Sequence, residues 1–427
     1  MSLAVFNWPA RRYPLSPGQR VRDLNPAAVS AGISAFIFYV TAGVPLLIAI
    51  ATRLGLDGAQ TSSWFFIVFF STACISIALS LVYRQPLPIN WSIPGLLYLG
   101  SLAGHFSFSE MVGANVMAGA AILVIGVLKI GPRLVAVLPL PIAMGMFAGS
   151  ILGSLSGLVS ATVTDLSVAG ATVAGYLLGR LIGRRSVPPV AVAAVSGVLA
   201  IALTQRVASA PITLTPPVLL LPNATFSLSA FVGVSLPLVV LSLVLGNVQA
   251  LGYLHAQGYR VPINVVTLVV GAQSLLNAFF GGHQAILGRS GVAILAAPDS
   301  GPVAGRYWGS IVSNVLLLPV AFAAAPLVAL VPLVPASYLA VLAGLAILPS
   351  FQEAILTGFG GRLRFGATVA FLVAATPFSV GGIPSAFWSL LAGLVASHLT
   401  ERAELQDVAP RPAAENFRGI TSGRPRP

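Results

Sequence analysis

The sequence predicts an all-α integral membrane protein of about 14 transmembrane segments, arranged as a 7+7 inverted repeat, and three observations point that way. The 427 residues are 57% hydrophobic and only 7% charged, far from the balance of a water-soluble domain. The apolar residues come in runs of roughly 18 or more, long enough to cross a hydrocarbon layer as helix, without the alternating short segments of a membrane β-barrel. The basic residues then sort to one side of such an arrangement.

Taken in order, the runs place segments near 28–51, 62–83, 86–104, 109–128, 134–158, 166–183 and 188–205. After a Pro-rich connector they resume at 228–255, 263–279, 281–297, 308–330, 332–349, 365–379 and 383–399. The chain thus divides into an N-terminal segment 1–27, a first repeat 28–205, a connector 206–227, a second repeat 228–399 and a tail 400–427. With an even count, every second connection lies on the side of the N-terminus. Nineteen of the 22 Lys and Arg residues fall there or in the two ends. They are Arg11, Arg12, Arg20 and Arg22, then Arg84, Lys129, Arg133, Arg180, Arg184, Arg185, Arg260, Arg306, Arg362 and Arg364, then Arg402, Arg411, Arg418, Arg424 and Arg426. Arg53 and Arg206 fall on the other side, and Arg289 lies within the membrane. The positive-inside rule therefore puts both termini in the cytoplasm of a cell inner membrane. It also accounts for the net charge of +12 as a topology signal, with no nucleic-acid partner implied.

Pro141 and Gly149 recur as Pro335 and Gly344 (335 − 141 = 194, 344 − 149 = 195), and Pro189 and Gly197 as Pro384 and Gly393 (384 − 189 = 195, 393 − 197 = 196). The same offset carries Pro94 and Gly95 onto Arg289 and Ser290, which makes the third and tenth segments repeat mates. These two are interrupted at their start, by Pro in QPLPINWSIPG (Gln85 to Gly95) and by Gly in FFGGHQAILG (Phe279 to Gly288). Gly281 and Gly282 suit a helix poorly, so Asn277 to Gln284 is expected to be extended and Ala285 to Ala297 a helix too short to span. Two such half-helices, beginning near mid-bilayer with facing N-termini, aim free N–H groups and positive dipole ends at an anion.

Arg289 stands where an ionisable residue is costly and marks a site by default. It suits a bidentate grip on a substrate carboxylate, or a structural pair with a buried acid. Ser290 follows it. His283 has two readings, a proton carrier near neutral pH or a neutral cap of the half-helix, with Gln284 beside it. Asn247 and Gln249 need polar partners in an apolar helix, whether substrate or another helix. Asn90, Trp91, Ser92 and Gly95 open the other half-helix, with Trp91 placed to stack on an aromatic ring or to pack between segments. Among the acids, Asp57, Asp165, Asp299 and Glu353 are expected near segment ends in water, which leaves Glu110 as a second proton-coupling candidate. Cys74 is expected to be a small core residue. His105, His255 and His398 show no metal-ligand spacing, and no phosphate or dinucleotide fingerprint occurs. No metal, cofactor or enzymatic chemistry is expected.

The runs YRQPLPINWSIPGLLYL (Tyr83 to Leu99), HFSFSEMVGANVMAG (His105 to Gly119), NVQALGYLHAQGYR (Asn247 to Arg260), FFGGHQA (Phe279 to Ala285) and SVGGIPSAFWSLLAGLVA (Ser379 to Ala396) resemble the benzoate:proton symporter family. The resemblance implies the fold shared with uracil/xanthine and sulfate permeases. In that fold a core domain of segments 1–4 and 8–11 moves against a gate domain of 5–7 and 12–14, and homodimers are common. It implies proton-coupled transport of benzoate. Two places depart from the family: Gly246-Asn247-Val248-Gln249, where the family has Ser-Gln-Asn, and Gly288-Arg289-Ser290, which is closer to the sulfate permeases. The expectation is a secondary transporter of a small organic anion, an aromatic carboxylate such as benzoate with protons. The alternatives are an inorganic anion or dicarboxylate carrier, or a channel-like anion conductor of the same fold.

Overall fold

The computed structural model describes residues 22–131, 138–183, 187–204 and 215–408. Most of the N-terminal segment and of the tail lie outside these, as do Arg133, Arg184, Arg185 and Arg206.

The chain is mostly helical. Six helices are long and apolar enough to cross a membrane: α1 (Pro26–Arg53), α2 (Gly58–Tyr83), α4 (Phe108–Leu128), α5 (Leu140–Thr164), α8 (Leu228–Ala256) and α12 (Ala336–Phe359). A seventh crossing is possible in a pair bent by 62°, in which α11 (Tyr307–Phe322) leads into a short helix, Ala324–Ala329. Shorter apolar helices are α6 (Leu166–Ile182), α7 (Pro189–Leu203), α9 (Ile263–Phe279), α13 (Arg364–Ala375) and α14 (Ser385–Thr400). Two further short helices are α3 (Ile93–Ser101) and α10 (Arg289–Leu295), each preceded by a three-residue strand, β1 (Ile89–Trp91) and β2 (Ala285–Leu287). Leu177, Leu181, Leu199, Leu203 and Leu356 point outward, an arrangement that lipid tolerates and water does not.

Helix ends follow local chemistry. Asn25 caps α1, Asp57 with Gln60 forms a reciprocal cap on α2, and Ser107 with Glu110 does the same on α4, each satisfying N–H groups that have no partner within the helix. Helices α1, α2 and α11 pack together, α4 packs on α9, and α5 packs on α12 and α13. Helix α6 pairs with α7, and α13 with α14.

Three expectations need correction. The helix expected over Ala285 to Ala297 begins only at Arg289, because Ala285–Leu287 is strand. The segment expected to end at residue 349 continues to Phe359 through Pro349. Proline removes one N–H from a helix but does not always end it. Cys74 is exposed on the outer face of α2.

Strands β1 and β2 pair antiparallel, Ile89 with Leu287, Asn90 with Ile286 and Trp91 with Ala285. Ser92 N–H donates to the Gln284 carbonyl (2.8 Å) and Gly288 N–H to the Pro88 carbonyl (3.0 Å). A two-stranded ladder leaves outer edges unpaired, which an apolar interior tolerates poorly. Side chains fill part of that deficit. Leu287 N–H donates to Asn247 Oδ1 (2.8 Å), Ala285 N–H to Ser274 Oγ (3.0 Å), and Ser76 Oγ–H to the Ile89 carbonyl (3.1 Å).

Candidate functional site

Where the strands meet the starts of α3 and α10, the structure encloses a cavity of ≈ 80 Å³, several times what a single water needs. Its walls come from α1 (Phe38, Tyr39, Ala42, Gly43), β1 and α3 (Asn90, Trp91, Ile93, Pro94) and α5 (Met144, Phe147). They are completed by α8 (Leu245, Gly246, Gln249), β2 and α10 (Ile286, Gly288 to Gly291) and α12 (Ser350, Glu353). The lining therefore combines aromatic and aliphatic side chains with Arg289, Ser290, Gln249 and Glu353.

Trp91 is nearly buried. It stacks on Phe69 with centroids 4.3 Å apart and meets Tyr39 edge-on at 5.9 Å, so one face of its ring is already taken. Its position also depends on Gly43, where a Cβ would fall 2.4 Å from Trp91 Cζ2. Helix α8 widens into π-helical turns over Leu241–Val248, a local irregularity that often accompanies functional sites. That stretch presents Leu245 and Gly246 to the cavity and Asn247 to strand β2.

Arg289, the first residue of α10, forms an ion pair with Glu353 of α12. With the Gln249 amide oriented by its hydrogen bonds, its nitrogen donates to Glu353 Oε1 at 3.2 Å and to the Leu245 carbonyl at 3.1 Å. Glu353 is the residue that sequence reasoning missed. It was expected in water past the end of a segment, and it sits in the cavity wall because α12 runs on through Pro349. The available signal was the apolar stretch FQEAILTGF after that proline, which suits continued helix.

Ser92, Gln284 and His283 are not among the lining residues. Ser92 Oγ accepts from Gly95 N–H (3.0 Å) and so caps α3. Gln284 donates through Nε2 to Asn115 Oδ1. Fully buried His283 accepts at Nδ1 from Trp64 Nε1–H (2.8 Å), and its carbonyl accepts from Asn277 Nδ2 (3.1 Å). Because an indole N–H only donates, that bond requires an unprotonated Nδ1 and a neutral ring. Gly281, with φ +83°, supplies the left-handed turn out of α9 that glycine adopts without strain. Glu110 is half-buried at the start of α4, where it accepts from Ser107 N–H (2.9 Å) and from the Ser107 hydroxyl (2.8 Å). It is not among the residues that line the cavity. Among the described residues no group of His, Cys, Asp and Glu is arranged to hold a metal.

The profile of the benzoate membrane transport protein family (BenE) matches residues 22–399. The chain belongs to this family. Its members are membrane transporters, not enzymes. The inner membrane protein YdcO of Escherichia coli (strain K12) is 26% identical over 381 residues, 88% of this chain and 96% of that protein. The benzoate membrane transport protein of Acinetobacter baylyi is 26% identical over 381 residues, 88% of this chain and 95% of that one. Among solved structures, the transmembrane domain of the cyanobacterial bicarbonate transporter BicA matches with TM-score 0.54 at 18% identity, covering 90% of this chain and 97% of that one. SLC26A9 matches with TM-score 0.62 at 12% identity, covering 90% of this chain and 66% of that one. At these identities the structural matches speak to the fold. The chain is thus a multi-pass membrane protein of the benzoate membrane transport family.

Proposed function

We propose that this BenE protein is a secondary transporter of an aromatic carboxylate, benzoate first, coupled to protons and working by alternating access. The observation that carries the reading is the lining of the cavity, which brings Phe38, Tyr39, Trp91 and Phe147 together with the single cation Arg289. An aryl ring gains from leaving water among apolar walls, and a guanidinium binds a carboxylate through two parallel charge-assisted bonds. Arg289 and Ser290 hold the carboxylate, Gln249 assists, and Trp91 offers the ring its free edge. Ser92, Gly95, Gln284, Asn247 and His283 act as the frame that fixes these positions. Helix α10 has only seven residues, so the anion is held by the Arg289 charge and not by a helix dipole.

In this reading the chain crosses an inner membrane about 14 times in two inverted repeats, 28–205 and 228–399, with both termini in the cytoplasm. Segments 1–4 and 8–11 form a core that moves against a gate of segments 5–7 and 12–14, within a homodimer. The equal spacing of the two strand-and-helix units supports it (285 − 89 = 196, 289 − 93 = 196). So does the composition of the cavity, whose lining residues come from α1, α3, α8 and α10 of that core and from α5 and α12 of that gate.

A second reading, an inorganic anion or dicarboxylate carrier, is favoured by the Gly288-Arg289-Ser290 run and by the BicA-like fold. Thermal melting of detergent-purified protein separates the two, because a ligand bound to the folded state raises Tm. Stabilisation by benzoate and other aromatic acids, and not by sulfate, bicarbonate or dicarboxylates, is the expected result. The reverse pattern sinks the aromatic reading and keeps the anion site.

A further inference from the structure

We infer that Glu353 carries the coupled proton, and that it does so by competing with the substrate carboxylate for Arg289. The inference rests on the carboxylate reading above. Arg289 projects from α10 and Glu353 from α12, and the two meet as an ion pair on the cavity wall. Their side chains are 41% and 33% exposed, so both a carboxylate and a proton can reach them.

A guanidinium already paired through Nη1 with Glu353 has part of its donor set occupied. An incoming carboxylate placed beside an ionised Glu353 meets a like charge, which raises the affinity of Glu353 for a proton. The charge count then selects two states. Empty, the site holds Arg289⁺ and Glu353⁻ and is neutral. Loaded with one carboxylate and one proton, it holds Arg289⁺, the substrate carboxylate and a neutral Glu353, and is again neutral. Either ligand alone leaves one uncompensated charge, which is unfavourable once the cavity closes to water. The site therefore crosses empty or doubly loaded, which is symport of one proton per carboxylate.

The proton balance is simple. On the loading side Glu353 takes a proton from water while the substrate carboxylate takes its place on Arg289. On the other side the substrate leaves as carboxylate, Glu353 returns its proton to water, and the ion pair reforms. Protonated Glu353 keeps a partner in Gln249, whose amide nitrogen lies 3.2 Å from Oε1 in its hydrogen-bonded orientation.

Few other groups compete for the role among the described residues. Tyr253, one turn beyond Gln249 on α8, interacts with the Arg289 charge, and Tyr39 of α1 is the other titratable group on the wall. Helices α5 and α7, which pack on α12, carry no titratable side chain. On α6, Arg180 is exposed and lies beside Tyr176, and on α13 Arg364 donates to the Gly361 carbonyl.

The test counts protons. Benzoate is added to weakly buffered, detergent-purified protein with a pH indicator, and its Kd is measured from about pH 6 to about pH 8. The wild type should take up about one proton per benzoate bound, and its Kd should weaken by about tenfold per pH unit while free Glu353 is ionised. Glu353→Gln should take up none and bind with a Kd that no longer varies with pH. Proton uptake that persists in Glu353→Gln overturns the proposal. Should that variant not fold, the wild type decides through infrared difference spectra with carbon-13-labelled benzoate. A new neutral carboxylic-acid band that does not shift with the label supports Glu353, and its absence overturns the assignment. Benzoate bound without any proton uptake overturns this proposal alone. No benzoate binding at any pH overturns the carboxylate reading and this one with it.

Discussion

Helix α3 follows β1 after a single residue, Ser92, and helix α10 follows β2 after a single residue, Gly288. The two units pair with each other through their strands and both face the cavity. At the matching position they do opposite things. Ser92 turns its hydroxyl back onto Gly95 N–H and closes the start of α3 from within, and α3 carries no charged residue. Gly288 has no side chain to cap α10, and the next residue is Arg289. A Cβ at Gly288 would lie 2.8 Å from Asn90 Nδ2, so the close contact with β1 also favours glycine there. One scaffold is thus used twice, once closed as structure and once left open with a cation at its tip.

The sharpest way to break this comparison is Arg289→Ala. Hydrogen bonds to charged groups contribute about 1.5–3 kcal/mol, so the variant should bind benzoate roughly 10- to 100-fold more weakly while eluting as folded protein. Both effects are readable from a benzoate titration of Tm and from gel filtration. An unchanged Kd in folded Arg289→Ala would remove the arginine from the site and leave the two units functionally alike.

Next comes the strand edge. Asn247→Leu keeps volume but leaves Leu287 N–H without its acceptor, at a cost of about 1–3 kcal/mol. The result should be a lower Tm without ligand, with any loss of benzoate affinity following from displacement of β2 and not from a lost contact. A variant of normal Tm and sharply weaker binding would instead make Asn247 a direct ligand.

The membrane class was legible because composition alone excludes water as the solvent of these faces, and the family was legible from motifs such as QPLPINWSIPG and FFGGHQA. Arg289, Ser290, Gln249 and Trp91 were legible as candidates because polar or bulky residues beside chain breaks in an apolar run need a reason, and all four line the cavity. The strand β2 was not. Ala285-Ile286-Leu287 suits a helix as well as a strand, and its partner lies at Ile89–Trp91, where no local pattern points. Glu353 was hidden by Pro349, which reads as the end of a segment, and its pairing with Arg289 depends on tertiary packing alone. His283 and Gln284 drew notice for the same reason as Arg289, yet the structure pairs His283 Nδ1 with Trp64 and Gln284 Nε2 with Asn115. A sequence shows that a buried polar group needs a partner, and only the fold shows whether that partner is protein or cargo.

The mildest change tests the closed half of the comparison. Ser92→Ala removes the side-chain cap of α3, worth about 1 kcal/mol within a range of 0.5–2, while Ser92 N–H keeps its bond to the Gln284 carbonyl. Since Ser92 is fully buried and does not line the cavity, Tm should fall slightly and benzoate affinity should change by less than about threefold. A loss of affinity rivalling that of Arg289→Ala would mean that the start of α3 binds substrate as directly as the start of α10. The asymmetry between the two units would then lie in their charge alone, with both ends open to the anion.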